Sequence, residues 1–430
     1  MNIAVIGLWH LGSVTAACLA HEKINVIAYD KDRKNIESLK KGKAPLFESG
    51  LDSLIKQGLE LNTLHFTSFP NDISQADIVW VTFDTPVDEQ DVADVKIVCD
   101  EVIELFPYIK QAAIVLVSSQ VPVGTTRQLQ KFCQEMHPEK HLSFAYSPEN
   151  LRLGKAIQVF QKPDRVILGL DRHTDKLKLT TLFKPFTDRI IWMSIESAEM
   201  TKHALNAFFA TSVVFINELA SLCEQVGADA REVEQGLKSE ERIGSKAYLR
   251  PGSAIAGGTL ARDVNFLTTI SEYHAINTPL FSSLLQSNQH HKQWSSRRVR
   301  DILRDLSGKT IVNLGLTYKA GTDTLRRSTA VESCTWLHMQ GARIVAYDPA
   351  IKTLPDELSN IIELKISLQD ALNNADAIII STEWPEFQEL TVEQLLSTMK
   401  QPYVFDAGGF LVKTLGNHKH IHYYTVGVQE

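Results

Sequence analysis

The sequence predicts an α/β protein made of two Rossmann-like, doubly wound parallel-sheet domains joined by a long central helix. Two series of short apolar runs carry this prediction, one in the N-terminal third and one in the last third of the 430 residues. Buried parallel strands are continuous apolar runs, and their alternation with amphipathic segments is typical of a doubly wound sheet. The third observation is a long helical pattern between the two series.

The strands are expected where an apolar run ends before small or polar residues. They are NIAVIG (2–7), NVIAYD (25–30), DIVWVTF (77–83), AAIVLVSS (112–119), KTIVNLGL (309–316), ARIVAYD (342–348), DAIIIST (376–382), PYVFDAG (402–408) and HYYTVG (422–427). The helical pattern runs from about residue 197 to 226 and is apolar around much of its circumference, so we expect it to join domains, subunits or both. Three regions follow from this layout: 1–195, 196–300 and 301–430.

Composition narrows the class of protein. With 44% hydrophobic and 22% charged residues the chain can bury a real core, and a formal charge of −7 does not favour nucleic acid. No apolar run approaches the roughly 20 residues of a membrane span and the N-terminus lacks a signal-peptide layout, so we expect a cytoplasmic protein without a membrane partner. The five cysteines are scattered and lack metal-ligand spacing, so we expect reduced thiols and no metal.

The first strand ends in the loop GLWHLG, residues 7–12, and the second strand ends at Asp30. In the dinucleotide fingerprint the first glycine makes a tight turn, the second admits the pyrophosphate and the third lets the helix pack on the strand. Gly7 and Gly12 match the first and third places, whereas Trp9 occupies the second. Asp30 is placed to accept hydrogen bonds from ribose hydroxyls, which favours NAD over NADP.

Other residues expected at the cofactor lie in the same loop and in two loops that follow buried strands, because ligands of such sheets bind at the carboxyl ends of the strands. They are His10, Leu11, Thr85, Pro86, Ser119 and Gln120. A Rossmann fold that has lost its cofactor site is the alternative for these motifs.

Motifs along nearly the whole chain resemble the UDP-glucose and GDP-mannose dehydrogenase family. They are VPVGT (121–125), SPENLR (147–152), AEMTK (198–202) with Asn206, RIGSK (242–246), Gly257-Gly258, Tyr318-Lys319 with Thr322-Asp323, and TEWPEF (382–387). The resemblance implies an NAD-binding domain, a central helix that carries homodimerisation, and a C-terminal Rossmann-like domain that holds a nucleotide-diphosphate sugar.

The family's usual reaction oxidises a sugar alcohol twice, through a thiohemiacetal on a cysteine in a loop Gly-Gly-Ser-Cys-Phe-Pro-Lys-Asp. Here the loop is GGTLARD, residues 257–263, shorter by one residue and without the thiol. Neither Leu260 nor an unactivated Thr259 replaces a thiolate that adds to an aldehyde. Gln120 replaces a family threonine, Leu153 a carboxylate of the hydrolytic half, and the segment DAGG (406–409) the family's Asp-Gly-Arg-Asn.

The resemblance places the reacting alcohol near Lys202, Asn206, Glu149 and Asp263. Lys202 and Asn206 are four residues apart on a helix and share one face, so a lysine, an amide and a carboxylate are available for one hydride transfer. Two plainer interpretations remain at this point: a solvated lysine, and an Asp263 that caps the following helix.

The substrate residues implied by the resemblance include the catalytic ones and several cations that suit a diphosphate. They are Glu149, Leu151, Arg152, Lys202, Asn206, Arg250, Gly257, Lys319 and Arg326. The functional hypothesis is a single two-electron oxidation to an aldehyde or ketone. Its alternatives are a four-electron 6-dehydrogenase that works without cysteine and a catalytically silent nucleotide-sugar-binding relative.

Overall fold

The computed structural model describes residues 1–86, 93–149, 151–256 and 258–429. The chain forms two compact units, Met1–Leu205 and Asn206–Glu430. Each unit contains one sheet flanked by helices, and helix α8 (Ile195–Val226) begins in the first unit and ends in the second. The predicted fold class is confirmed, whereas the region boundaries at 195/196 and 300/301 stay predictions.

The first unit contains an eight-stranded sheet in the order β3-β2-β1-β4-β5-β6-β7-β8. All neighbouring strands are parallel except the antiparallel pair β6 and β7. The strands are β1 (Asn2–Ile6), β2 (Asn25–Tyr29), β3 (Leu64–Thr67), β4 (Ile78–Val81), β5 (Ile114–Val117), β6 (Ser143–Tyr146), β7 (Val166–Leu170) and β8 (Ile190–Met193). The strand order reverses between β1 and β4, which is where doubly wound sheets bind dinucleotides.

Helices cover both faces of this sheet. They are α1 (His10–His21), α2 (Arg33–Lys40), α3 (Leu51–Glu60), α4 (Val95–Leu105), α5 (Thr125–Met136), α6 (Ala156–Gln161) and α7 (Lys176–Phe183). Two hydrophobic cores result: Val14 and Leu19 of α1 belong to one, and Val98 and Val102 of α4 belong to the other. The central strands are apolar on both faces because both faces are covered.

The second unit contains a six-stranded parallel sheet in the order β11-β10-β9-β12-β13-β14. The strands are β9 (Thr310–Leu314), β10 (Arg343–Tyr347), β11 (Ile362–Leu364), β12 (Ala377–Ile380), β13 (Tyr403–Phe405) and β14 (His422–Tyr424). The helices are α9 (Ala230–Ser239), α10 (Thr259–Tyr273), α11 (Pro279–Lys292), α12 (Trp294–Leu303), α13 (Thr329–Met339), α14 (Asp356–Ser359), α15 (Leu368–Leu372), α16 (Val392–Thr398) and α17 (Val412–Leu415).

The second sheet repeats the strand and loop pattern of the first, but it uses the corresponding carboxylate differently. Asp348, which follows β10 as Asp30 follows β2, is 1% exposed. One of its oxygens accepts the amides of Leu316 and Thr317 and the indole N–H of Trp384. A carboxylate that is buried and bonded in this way cannot also receive the hydroxyls of a ribose, so this loop does not serve a dinucleotide as the first one does.

By length and composition alone, α8 is the one helix in the described part of the chain that is long and apolar enough to cross a membrane. The expectation that no segment reaches this length does not hold by that criterion. Core helices of soluble proteins meet the same criterion, and α8 carries Glu199 and Lys202, both buried and bonded within the first unit. The absence of a membrane partner stays a prediction.

Candidate functional site

The dinucleotide loop has the two glycines that its geometry requires. Gly7 has φ +87°, in the region that favours glycine, and a Cβ there would lie 2.5 Å from the ring of Phe83. A Cβ on Gly12 would lie 1.9 Å from the carbonyl oxygen of Gly7, so only glycine lets α1 pack this closely. These are the roles that the sequence predicts for the first and third glycines.

Trp9 fills the second glycine place without strain. Its φ is −77°, a value open to any residue, and its side chain is 49% exposed. No side chain caps the first turn of α1, so the backbone amides there remain available to an anion such as a pyrophosphate. His10 and Leu11 lie in this turn. The loop therefore keeps the features that a dinucleotide needs, and Trp9 does not close it.

Asp30 holds the same loop from the end of β2. Its carboxylate accepts the backbone amides of Leu8 at 2.8 Å and of Asp32 at 2.9 Å. The residue is half-buried, and carboxylate oxygens have lone pairs beyond these two bonds. Its assignment to the ribose hydroxyls of NAD stays a prediction.

Two further loops follow β4 and β5 on the same edge of the sheet. The Thr85 hydroxyl donates to the carbonyl oxygen of Gln120 at 2.7 Å, which joins the two loops, while Pro86 is exposed. Ser119 is fully buried and its hydroxyl has no hydrogen-bond partner within the protein. A buried hydroxyl without a partner is rare, so Ser119 is ready to bond a ligand. These residues fit a bound NAD.

Lys202 is a buried base partner and not a solvated surface lysine. It is 5% exposed, and its Nζ donates to the carbonyl oxygen of Glu149 at 2.7 Å and to Oε1 of the same residue at 3.0 Å. The second carboxylate oxygen of Glu149 accepts the amide of Leu151 at 2.8 Å. The plainer interpretation of Lys202 is wrong, because the ammonium is held in place by a carboxylate and a carbonyl.

The first turns of α8 hold other loops of the first unit as well. The carboxylate of Glu199 accepts the amides of Gly124 at 2.6 Å and Thr126 at 2.9 Å, and so caps α5. Burial raises the pKa of Glu199 above its usual range. His203 Nε2 lies 3.1 Å from the carbonyl oxygen of Val121. The sequence quotes Glu199 in a motif without assigning it this role, although it is three residues before Lys202 on the same helix.

In the second unit, Asn206 and Asp263 form a hydrogen-bonded pair. The Asn206 amide donates to Oδ2 of Asp263, which is 0% exposed. Asp263 is the fifth residue of α10, whose N-cap is Gly258, so the interpretation that Asp263 caps this helix is wrong. Instead the helix supplies a buried carboxylate that orients the amide of Asn206.

The loop GGTLARD begins α10, and Leu260 points its apolar character at a cavity. This cavity of the second unit measures about 470 Å³, and Val213, Ile255 and Leu260 are among its lining residues. None of the described residues that line it is Cys or His. The position where the family carries its nucleophile is therefore an apolar wall. Gly257, which the sequence predicts to contact substrate, lies outside the described residues.

The opposite side of this cavity is charged. Arg250 lines it and donates to the carbonyl oxygen of Gly408 at 3.0 Å, while Glu383 also lines it. A Cβ on Gly408 would lie 2.3 Å from Oε1 of Glu383. Burial, and then the charge of Asp406, raise the pKa of Glu383, which Arg250 partly offsets. Arg250 thus provides a cation beside the segment that has lost the family's arginine.

The remaining substrate predictions lie at separate positions. Leu151 is half-buried and Arg152 is exposed after β6. In the second unit, Nζ of Lys319 lies 5.8 Å from the centre of the Tyr318 ring, and Arg326 is exposed. Among the described residues no group of three or more His, Cys, Asp or Glu side chains is arranged to hold a metal. The absence of a metal stays a prediction.

Family models match the chain in three consecutive parts. The NAD-binding domain of the UDP-glucose/GDP-mannose dehydrogenase family matches residues 1–187, the central domain of that family residues 196–290, and its UDP-binding domain residues 312–413. The chain belongs to the UDP-glucose/GDP-mannose dehydrogenase family. This confirms the resemblance that the motifs indicate.

Relatives and solved structures agree with this membership. The chain is 33% identical to the UDP-glucose 6-dehydrogenase of Rickettsia typhi over 439 residues, with 99% of each chain covered. It is 32% identical to a UDP-glucose 6-dehydrogenase of Bacillus subtilis, with 99% of this chain and 98% of that one covered. A UDP-glucose dehydrogenase from Pyrobaculum islandicum has a similar structure, with a TM-score of 0.87, 25% identity and coverage of 99% and 98%.

Membership settles the class of reaction. This nucleotide-sugar dehydrogenase is an NAD-dependent oxidoreductase that acts on a CH–OH group of a nucleotide sugar. The predicted cofactor, NAD, and the predicted nucleotide-sugar substrate are confirmed. The roles assigned to individual residues stay predictions, as do the homodimer and the absence of a nucleic-acid partner.

Proposed function

We propose that this dehydrogenase oxidises its sugar alcohol once, by a single two-electron hydride transfer, and releases an aldehyde or ketone without a covalent cysteine intermediate. The observation that carries the proposal is the apolar cavity wall at Leu260, where the family has its thiol. A second oxidation needs a nucleophile that converts the aldehyde into a hydride donor, and leucine has no such group.

None of the chain's own cysteines takes over this role. All five are free, and none lies in the loop from Pro251 to Asp263. Burial raises the pKa of Cys18 and of Cys334 to about 12, and that of Cys133 to about 11, so these remain thiols at neutral pH. Cys99 is also shifted upward by burial in its pKa, and Cys223 is buried within α8.

Two hydrogen-bonded pairs anchored on α8 serve the single step. Bound NAD supplies the hydride acceptor. In the first unit Lys202 is fixed by Glu149, and its ammonium stabilises negative charge that develops on the reacting oxygen. In the second unit Asp263 fixes the amide of Asn206. Lys202 and Asn206 are one turn apart on α8 and share a face, and Glu149 takes up the alcohol proton through a water.

The stoichiometry of NADH formation tests this proposal. A panel of UDP-, GDP- and other nucleotide sugars, including longer-chain sugars, is screened for NADH absorbance at 340 nm with limiting sugar, roughly the scale on which cofactor turnover is followed in dehydrogenases. One NADH per sugar supports the single oxidation. Two NADH per sugar contradict it and favour the four-electron 6-dehydrogenase.

The silent-relative alternative makes a different prediction. It requires that no panel member gives NADH and that NAD produces no thermal shift. The loop geometry at Gly7 and Gly12 and the buried hydroxyl of Ser119 favour NAD binding, so we expect a clear shift of the unfolding temperature.

We also propose that the enzyme is a homodimer whose subunits meet along α8. Its exposed side carries Phe208, Phe215 and Leu222, which are 68%, 49% and 63% exposed and spaced seven residues apart. A stripe at this spacing lies on one side of a helix and matches a second copy of itself about a two-fold axis. Single exposed apolar residues are ordinary, but such a stripe marks an interface.

Light scattering of the purified protein tests the dimer. We expect Phe215→Glu to convert it to a monomer, whereas the control Phe69→Glu, at a phenylalanine that is 61% exposed elsewhere in the first unit, leaves it dimeric. A monomeric unsubstituted protein overturns the proposal. The cytoplasmic location is part of the same proposal, and cell fractionation that recovers the enzyme with membranes would contradict it.

A further inference from the structure

Glu48 is a buried carboxylate that the sequence does not connect to the site. It lies in the segment between α2 and α3 and is 5% exposed. Its Oε2 lies 3.0 Å from Nε2 of His10 and accepts the amide of Gly154 at 2.8 Å, and its Oε1 accepts the amide of Ala156 at 3.0 Å. Both oxygens are therefore engaged, as a buried carboxylate requires.

The groups bonded to Glu48 belong to two segments with separate tasks. His10 is the first residue of α1 and lies in the dinucleotide loop. Gly154 and Ala156 end the loop of residues 147–156, which follows β6 and carries Glu149. These partners are 38, 106 and 108 residues from Glu48 in the chain. Glu48 thus connects the cofactor loop directly to the loop of the proposed base.

The loop of residues 147–156 is held at two places. Lys202 binds the carbonyl oxygen and Oε1 of Glu149, which fixes the first half of the loop. Glu48 binds the amides at its second half. A change at Glu48 therefore reaches Glu149 through the backbone of this loop while leaving the bonds of Lys202 in place.

A simpler role for Glu48 is to cap α6, whose first residue is Ala156. A carboxylate at a helix N-terminus is favourable in itself. The cap does not account for His10, however, because the two amide bonds already occupy both carboxylate oxygens. The imidazole is an added link to α1, and its side chain is 16% exposed.

We propose that Glu48 is a positioning residue that couples NAD binding at the loop of residues 7–12 to the placement of Glu149. Binding at the first turn of α1 restricts His10, His10 holds Glu48, and Glu48 holds the second half of the loop that carries Glu149. The inference rests on the proposed role of Glu149. Coupling between two sites is reciprocal, so weakening this link weakens NAD binding by the same factor as it weakens the effect of NAD on the loop.

The test uses Glu48→Gln, which keeps the size of the side chain but turns one acceptor into a donor. Amide hydrogen exchange of a peptide covering residues 147–156 is measured by mass spectrometry with and without saturating NAD, and the Kd for NAD by calorimetry. In the unsubstituted protein we expect NAD to slow exchange about tenfold, within the usual range of such couplings. In Glu48→Gln we expect most of this slowing to disappear and the Kd to rise by the same factor.

Two further variants keep the test decisive. His10→Ala leaves the two amide bonds on α6 but removes the link to α1, so at saturating NAD its loop exchanges as fast as without NAD. If Glu48→Gln does not fold, this variant decides alone. The control is His21→Ala, at a histidine of the same helix that lies 3.0 Å from Gln57 on the surface, and it should match the unsubstituted protein.

Three outcomes overturn the inference, and they differ in what else they affect. If Glu48→Gln speeds exchange equally with and without NAD and leaves the Kd unchanged, Glu48 is only a helix cap. If NAD binds to the unsubstituted protein without slowing exchange, the coupling does not exist and the proposed function stands. If NAD does not bind at all, the inference and the proposed function fail together.

Discussion

Replacement of Lys202 by methionine separates its structural contribution from its catalytic one. The ammonium is 5% exposed and makes two bonds to Glu149, at 2.7 and 3.0 Å. Removing one partner of a buried pair costs about 3–5 kcal/mol because the other charge stays buried. The Glu149 side chain is 22% exposed, so water partly compensates and we expect the lower end of that range.

Urea unfolding measures this loss, and a double-mutant cycle assigns it. The coupling between Lys202→Met and Glu149→Gln should be about 1–3 kcal/mol, as expected for residues in direct contact. Lys131→Met is the control: its surface pair with Glu135 at 3.9 Å is worth about 0–1 kcal/mol.

The same variant is assayed for NADH with the nucleotide sugar that the panel identifies. Loss of a group that stabilises charge on a reacting oxygen lowers kcat about 10²–10³-fold, whereas Lys131→Met leaves it unchanged. An activity within about threefold of the unsubstituted enzyme, beyond the scatter of such measurements, would refute a catalytic role for Lys202. A coupling near zero would refute the structural one.

Three other predictions follow from the same geometry. Gly12→Ala should abolish NAD binding in calorimetry because its Cβ would lie 1.9 Å from a loop carbonyl, whereas Gly236→Ala, in α9 with nothing within 4 Å, should stabilise the fold by about 0.5–1 kcal/mol; equal behaviour would contradict this. The pKa of Glu199 is raised by burial, so its contribution to stability is largest below the unfolded pKa and falls as pH rises through the folded value. The unfolding free energy relative to Glu199→Gln should therefore decrease from about pH 4 to pH 7, and an increase would contradict it. Trp9→Gly should bind NAD at least as tightly as the unsubstituted protein, because the φ of −77° at Trp9 does not depend on the indole; weaker binding would show that Trp9 holds the cofactor.

Local pattern explains which parts of the fold the sequence predicts. The strands β1, β2, β4 and β5, and the five of the second sheet named from the sequence, are uninterrupted apolar runs because both of their faces are covered. The strands that the sequence does not identify are shorter or mixed. LHFT at β3 contains an exposed histidine, and IIWM at β8 lies at the edge of its sheet with no fully buried residue.

The site divides in the same way. The roles of Gly7 and Gly12 depend on backbone within a few residues, so a short motif identifies them. Glu48 depends on donors more than a hundred residues away in the chain, and no periodicity marks it. Asp263 lies between these cases, since the sequence identifies the residue while only the start of α10 at Thr259 shows that it does not cap the helix.

The central claim is that GGTLARD serves a dehydrogenase that stops after one oxidation. The mass of the product, determined after incubation of enzyme, NAD and the reactive nucleotide sugar in water enriched in ¹⁸O, tests it most directly. A product lighter than the substrate by two hydrogens, apart from oxygen exchange through a reversible carbonyl hydrate, is the result we predict. A carboxylic acid that has gained an oxygen from the water would contradict the account and show that Leu260 does not prevent the second step.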